Sequence, residues 1–200
     1  MQAAPSLARA ILEAGHEVGL HCHRHVRHSD LGEAEIEADT CAALATLGDL
    51  GIDPVRWRTP WGTLTPASVT VACRHALELV HWTHDTHDWR GDSATAMLAS
   101  AQAALADGGV VLMHDAFGPG ATREGCENTL AVIAPLSELA ASRGLAVLPL
   151  SEVPVRDDAR RAQQPAPQHH LHPDAPTVAR GEGRCAPGEA ILLQTPGGRW

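Results

Sequence analysis

The 200-residue chain contains no lysine and no tyrosine, and it has a single phenylalanine. All fifteen of its basic residues are therefore arginine. Without an amine side chain it cannot form a Schiff base, a carbamylated-lysine metal bridge or a Walker-type phosphate loop. Its five cysteines are odd in number and show no CxxC spacing, which excludes a disulfide framework and a zinc ribbon. No apolar run approaches the length of a membrane span, so no transmembrane segment is predicted. No basic stretch followed by a hydrophobic one opens the sequence, which as written predicts a cytoplasmic protein. Basic residues are also outnumbered by 24 acids, and the resulting net charge of −9 has the wrong sign for a nucleic-acid partner.

What is present suits one globular domain with a core of Ala, Leu and Val. Leu7, Ala10, Ile11 and Ala14 recur at helical spacing, and "HEVGL" then reads as a short strand. Ser29 or Asp30 is the predicted cap of a second helix ending at Gly48 to Gly51. "VRWR" is the next strand, and Thr65-Pro66 opens a helix through about Ala76. "LELVHWTH" reads as a third strand, followed by an Ala-rich helix from Asp92 or Ser93 to Asp107. "VVLMH" is a buried strand, a helix spans about Glu127 to Ser142, and "LAVLPL" closes the series. Strands alternating with helices predict about five parallel β/α units. Beyond Val155 the composition turns to Pro, Ala, Gly and charge. Residues 1–155 are thus the predicted domain, and 156–200 a low-complexity, disordered tail carrying His169, His170 and His172.

In parallel β/α folds chemistry gathers at the carboxyl ends of strands. Here those ends carry His21 with His23, His25 and His28; Arg58 with "TPWG"; "HDTHDW", His84 to Trp89; and His114-Asp115. His21 and His25, four apart at the mouth of a turn, have spacing that lets two imidazoles reach one ion. On spacing alone, a hydrated surface cluster is the equal alternative. The HxH pair His21 and His23 is a weaker metal choice, because such pairs usually accompany a carboxylated lysine. Arg58 reads equally as a surface ion pair, and His114 as a buried core histidine.

Together these segments resemble the NodB-homology polysaccharide deacetylases, carbohydrate esterase family four. "HCHRH" is similar to the second motif of that family, H-[ST]-x-x-H. "RTPWG" fits R-x-P-x-G, "DTHDW" fits D-x-x-D-W, and "LMH" fits L-x-H, in the family's order over roughly residues 5 to 153. The resemblance implies a distorted β/α barrel that removes acetyl groups from N- or O-acetylated carbohydrate with a divalent metal, usually zinc in that family. It implies His21 and His25 as metal ligands, His114 as general acid and Asp88 as its orienting partner. Arg58 is implied to pair with the catalytic base, Trp61 and Trp89 to shape the groove, and Leu112 to sit beside the acetyl methyl.

The family's first motif, T-F-D-D, supplies the base and a third ligand, and nothing before His21 matches it. Residues 1–14 resemble the helix that precedes the second motif. The expectation is thus an incomplete barrel beginning partway into the fold, with uncovered sheet edges open to self-association. The alternative expectation is a non-catalytic metal- or glycan-binding remnant. Cys22 stands where the family has Ser or Thr, so it either loosens the metal loop or ligates. Imidazole ligands suit zinc, cobalt and nickel alike.

Overall fold

A computed structural model describes residues 5–153. Helix α1 spans Pro5–Glu13, α2 Glu33–Gly48, α3 Pro66–Arg74, α4 Ala94–Ala104 and α5 Glu127–Ser142. Four two-residue strands lie between them: β1 Arg56–Trp57, β2 Glu78–Leu79, β3 His84–Asp85 and β4 Val111–Leu112. β1 pairs with β2 and β3 with β4, both in parallel, as β/α connections require. Among the described residues the architecture is that of a distorted β/α barrel with two short parallel sheets. No described helix is long and apolar enough to cross a membrane. The predicted tail with its three histidines lies outside the described residues.

The helix starts follow local chemistry. Thr65 caps α3 with its hydroxyl accepting from Ser68 N–H, and Pro66 fills the first turn. Ser93 caps α4 in the same way through Ala96 N–H. The cap of α2 departs from expectation. Ser29 and Asp30 are consumed in a single 3₁₀ turn, His28–Asp30, and Gly32 takes the cap position instead. Glu35 reaches back from the first turn to accept the Gly32 N–H at 2.9 Å. α3 also stops earlier than predicted, at Arg74.

Three strand predictions need correction. "HEVGL" contributes only one bridge, Leu20 to Trp57, built on Leu20 N–H to Arg56 carbonyl and Arg58 N–H to Leu20 carbonyl. A side chain at Gly19 would meet the Arg56 carbonyl at 3.1 Å, so glycine permits that approach. "LELVHWTH" is two strands: its first half pairs with β1 and its second half with β4. Its β-forming residues run on continuously, but the backbone partners change midway. "LAVLPL" forms no strand; its apolar residues find no ladder, and Val147 is 72% exposed.

The main core lies between α2, α3 and the β1–β2 pair. Ile36, Ala43 and Leu47 of α2 join Val71 and Ala72 of α3, with Leu20, Trp57 and Leu79 beneath. α4 and α5 pack together, burying Met97, Ala101, Val132, Leu136 and Ala140. Cutting Ile36, Leu47, Met97 or Leu136 back to alanine costs about 2–5 kcal/mol. This scaffold fixes the loops that leave the strand ends.

Candidate active site

The Leu20–Trp57 bridge places His21 at the end of its segment, beside Arg58. His21 Nδ1 lies 2.6 Å from the Arg58 carbonyl. A carbonyl only accepts, so Nδ1 carries the proton and Nε2 keeps its lone pair. The His21 carbonyl in turn accepts from the indole N–H of the buried Trp57 at 2.9 Å. Asp39, buried on α2, accepts His23 N–H and Arg24 N–H, each at 2.9 Å. The histidine turn is therefore pinned from two sides, by a core tryptophan and a helix carboxylate. Sequence reasoning missed both, since neither sits near the turn in the chain.

His25 packs edge-on to His21, ring centroids 5.1 Å apart, and against Trp61 at 4.2 Å. Its Nδ1 is buried without a protein partner. Burial foremost, and then the charges of neighbouring groups including His114, hold His25 below the ordinary histidine value. Burial likewise lowers His21, outweighing the Arg58 carbonyl bond. Both rings are neutral imidazoles at neutral pH. His28 belongs to the core instead, with Nδ1 2.9 Å from Ser68 Oγ.

Arg58 is followed by a tight turn, Pro60–Gly62, in which Trp61 is held at φ 53°. Gly62, at φ 64°, could not carry a side chain, because its Cβ would fall 2.5 Å from the Trp82 ring. Trp82 stacks on His81, which bonds the Gly62 carbonyl at 2.7 Å. Burial lowers the Arg58 guanidinium, and its Nε has no protein partner. A cation so placed favours an anion beside it.

The second half of the site comes from the β3–β4 pair. Its register, Asp85 opposite Leu112, brings the loop after β3 against the loop after β4. Asp88 is fully buried there. One of its oxygens meets His114 Nδ1 at 2.8 Å, and the other accepts His114 N–H at 2.8 Å. Arg123 Nη1 donates to the same second oxygen at 2.8 Å, and the Thr129 hydroxyl at 3.0 Å. Arg123 also donates to the carbonyls of His114 and Ala116, at 3.0 and 2.8 Å. Burial would raise the Asp88 carboxyl, but the bonds from His114 and Thr129 outweigh it and hold it below the ordinary value. Arg123 and Thr129 were not foreseen: Arg123 lies in a Gly-rich stretch without periodic signal, and Thr129 is one polar residue in the first turn of α5.

The remaining sites fall as follows. Leu112 is buried in β4. Trp89 is half-buried, its indole 3.5 Å from Asp85 and its ring beneath Arg90. His84 lies in β3 and His87 just beyond it. The Cys22 thiol is pushed up to about 11 by burial and then by the Asp39 charge, so it stays protonated at neutral pH. The loop brace is Asp39, not Cys22. The charge of His114 bears on both His21 and His25.

A family model described as polysaccharide deacetylase matches residues 1–80. A chitooligosaccharide deacetylase from Bradyrhizobium is 27% identical over 157 residues, covering 74% of this chain and 71% of that protein. A family 4 carbohydrate esterase from Streptomyces lividans, solved with acetate, superimposes with a TM-score of 0.65 at 28% identity, covering 74% of this chain and 78% of that one. The chain is thus similar to polysaccharide deacetylases in sequence and in fold. Longer relatives also match: the chain is 30% identical over 112 residues to a peptidoglycan-N-acetylglucosamine deacetylase of Listeria monocytogenes. That alignment covers 56% of this chain but 23% of that protein.

A family 4 acetyl xylan esterase from Clostridium thermocellum was solved in complex with a cobalt ion. In this chain the histidine turn offers two nitrogens of the kind that hold such an ion. His21 offers Nε2 with its other nitrogen anchored, and His25 has a buried, unpartnered ring nitrogen, as metal-binding imidazoles do. Among the described residues no third ligand group gathers with them, although the field of the Asp115 carboxylate reaches His21.

Proposed function

We propose that this chain removes acetyl groups from acetylated carbohydrate, as a metal-dependent hydrolase acting on carbon–nitrogen bonds other than peptide bonds. The observation that carries the reading is that His114, clamped by buried Asp88, bears through its charge on the neutral imidazoles of His21 and His25. Those two residues would hold the ion, with zinc the proposed identity. When bound, a divalent ion polarises the acetyl carbonyl and lowers the pKa of a bound water.

The residues supply the remaining steps. His114, hydrogen-bonded through Nδ1, presents Nε2 to protonate the departing amine or alkoxide. Asp88 fixes the ring's tautomer and orientation. Arg58 provides a buried positive charge for the anionic partner or the developing oxyanion. Trp61 and Trp89 bound the groove, and Leu112 gives the acetyl methyl an apolar seat. Uncovered strand edges make self-association a further proposal.

A second reading is a metal- or glycan-binding domain without catalysis. It is favoured by the unpartnered Arg58 Nε. Acetate release from an acetylated chitooligosaccharide with added zinc separates the two. Release that disappears in His114→Ala supports the hydrolase. Glycan binding with no acetate from the parent protein supports the binding domain.

A further inference from the structure

Away from the His21–His25 rim, Glu37, Cys41 and His75 bring one ligand atom each to within 4.8 Å of one another. Glu37 and Cys41 are four apart on α2 and so share one face of the helix. His75 is the residue that ends α3. The two helices are locked together through Ile36, Ala43, Val71 and Ala72, so the three side chains meet across a seam that packing already fixes. We propose that this cluster is a second metal site, for a borderline divalent cation such as zinc or cobalt, that staples α2 to α3.

The distances decide in favour of an ion. Zinc binds thiolate sulfur at about 2.3 Å and imidazole nitrogen or carboxylate oxygen at about 2.0 Å. At a tetrahedral angle those lengths put sulfur about 3.5 Å from each of the other two atoms, and nitrogen about 3.3 Å from oxygen. Cys41 Sγ lies 3.8 Å from His75 Nε2 and 3.6 Å from Glu37 Oε1, already close to that triangle. Only the His75–Glu37 edge, 2.6 Å, is short. It opens by side-chain rotation as the hydrogen bond gives way to the ion.

Arg74 supports the cluster rather than competing with it. It pairs with the other Glu37 oxygen, Oε2, and with Glu33 at 2.8 Å. Oε1 is thereby left aimed at His75 and Cys41, the arrangement by which an outer partner orients a ligating carboxylate. The fourth position opens to water because Cys41 is exposed. Binding releases the Cys41 thiol proton to solvent, since the thiolate is the ligand. It leaves the His75 ring proton on Nδ1, so that Nε2, which donates to Glu37 without the ion, presents its lone pair.

The test is a titration of the full chain with Co²⁺, read by the near-ultraviolet thiolate-to-cobalt charge-transfer band, which an all-imidazole site does not produce. The expected result is a band at one equivalent that is lost in Cys41→Ser and weakened in His75→Ala and Glu37→Gln. It should persist in Cys22→Ser and in His21→Ala, so its fate does not depend on the deacetylase reading. No band in the parent chain overturns the proposal. So does a band that survives Cys41→Ser, or one that vanishes in Cys22→Ser, which would place the thiolate at the other site.

Discussion

Asp88 receives both the ring Nδ1 and the backbone N–H of His114, each at 2.8 Å, through its two different oxygens. This two-point grip fixes the position and the rotation of the imidazole together. It depends on the β3–β4 register, which sets Asp85 against Leu112 and so aligns the two loops that follow.

In the proposed reaction His114 gives the proton, and it is not among the proposed metal ligands. His114→Ala is expected to lower acetate release by about 10²- to 10⁴-fold, the range typical of a lost general acid. Zinc affinity should stay unchanged. Parallel acetate assays and zinc titrations check this, and a large loss of zinc binding would move His114 into the ligand set.

Arg123 is a positioning residue whose side chain is 2% exposed, ion-paired with a carboxylate that is fully buried. Arg123→Met leaves the Asp88 charge short of its cation, and breaking a buried pair from one side costs about 3–5 kcal/mol. Urea unfolding should show this loss. The double variant Asp88→Asn, Arg123→Met should lose less than the sum of the single changes, because the two groups are directly coupled.

The same carboxylate predicts a pH dependence of stability. The folded state holds Asp88 below its ordinary 3.8, because the bonds from His114 and Thr129 outweigh the effect of burial. Its contribution is therefore complete above the unfolded value and is lost as pH falls below 3.8 through the folded value. Urea midpoints measured against pH should show the parent's advantage over Asp88→Asn at neutral pH shrinking across that acidic window. An advantage that grew on acidification would contradict the assignment.

Two residues outside the histidine turn control its shape. Asp39→Ala frees the N–H groups of His23 and Arg24 and should weaken metal binding at His21 and His25 by about 10- to 100-fold. Trp57→Phe keeps most of the apolar packing but strips the His21 carbonyl of its indole donor. That unpaired group costs about 1–3 kcal/mol. Isothermal titration with zinc and urea unfolding read the two effects separately.

Much of the chemistry was legible in the residue order. Helices α3, α4 and α5 announce themselves through Thr65-Pro66, Ser93 and the apolar spacing after Glu127, because capping and periodicity are local properties. His21, His25, Arg58, Asp88 and His114 were all placed at strand ends by pattern alone. The strands were less legible. "LELVHWTH" and "LAVLPL" have the composition of strands, but a strand exists only where another backbone accepts its bonds. The first run divides between two partners and the second has none among the described residues.

By itself, the sequence determined the order of β/α units, the absence of lysine chemistry and the identity of the histidines, arginine and carboxylates that line one rim. Only the tertiary structure decided which side chains hold those groups still. Asp39 reaches the histidine turn across 16 residues, Trp57 across 36, and Arg123 reaches Asp88 across 35. Such partners leave no periodic trace in the chain, because their meeting depends on register and helix packing. The pairing of Glu37 and Cys41 with His75 arises in the same way, from the seam between α2 and α3.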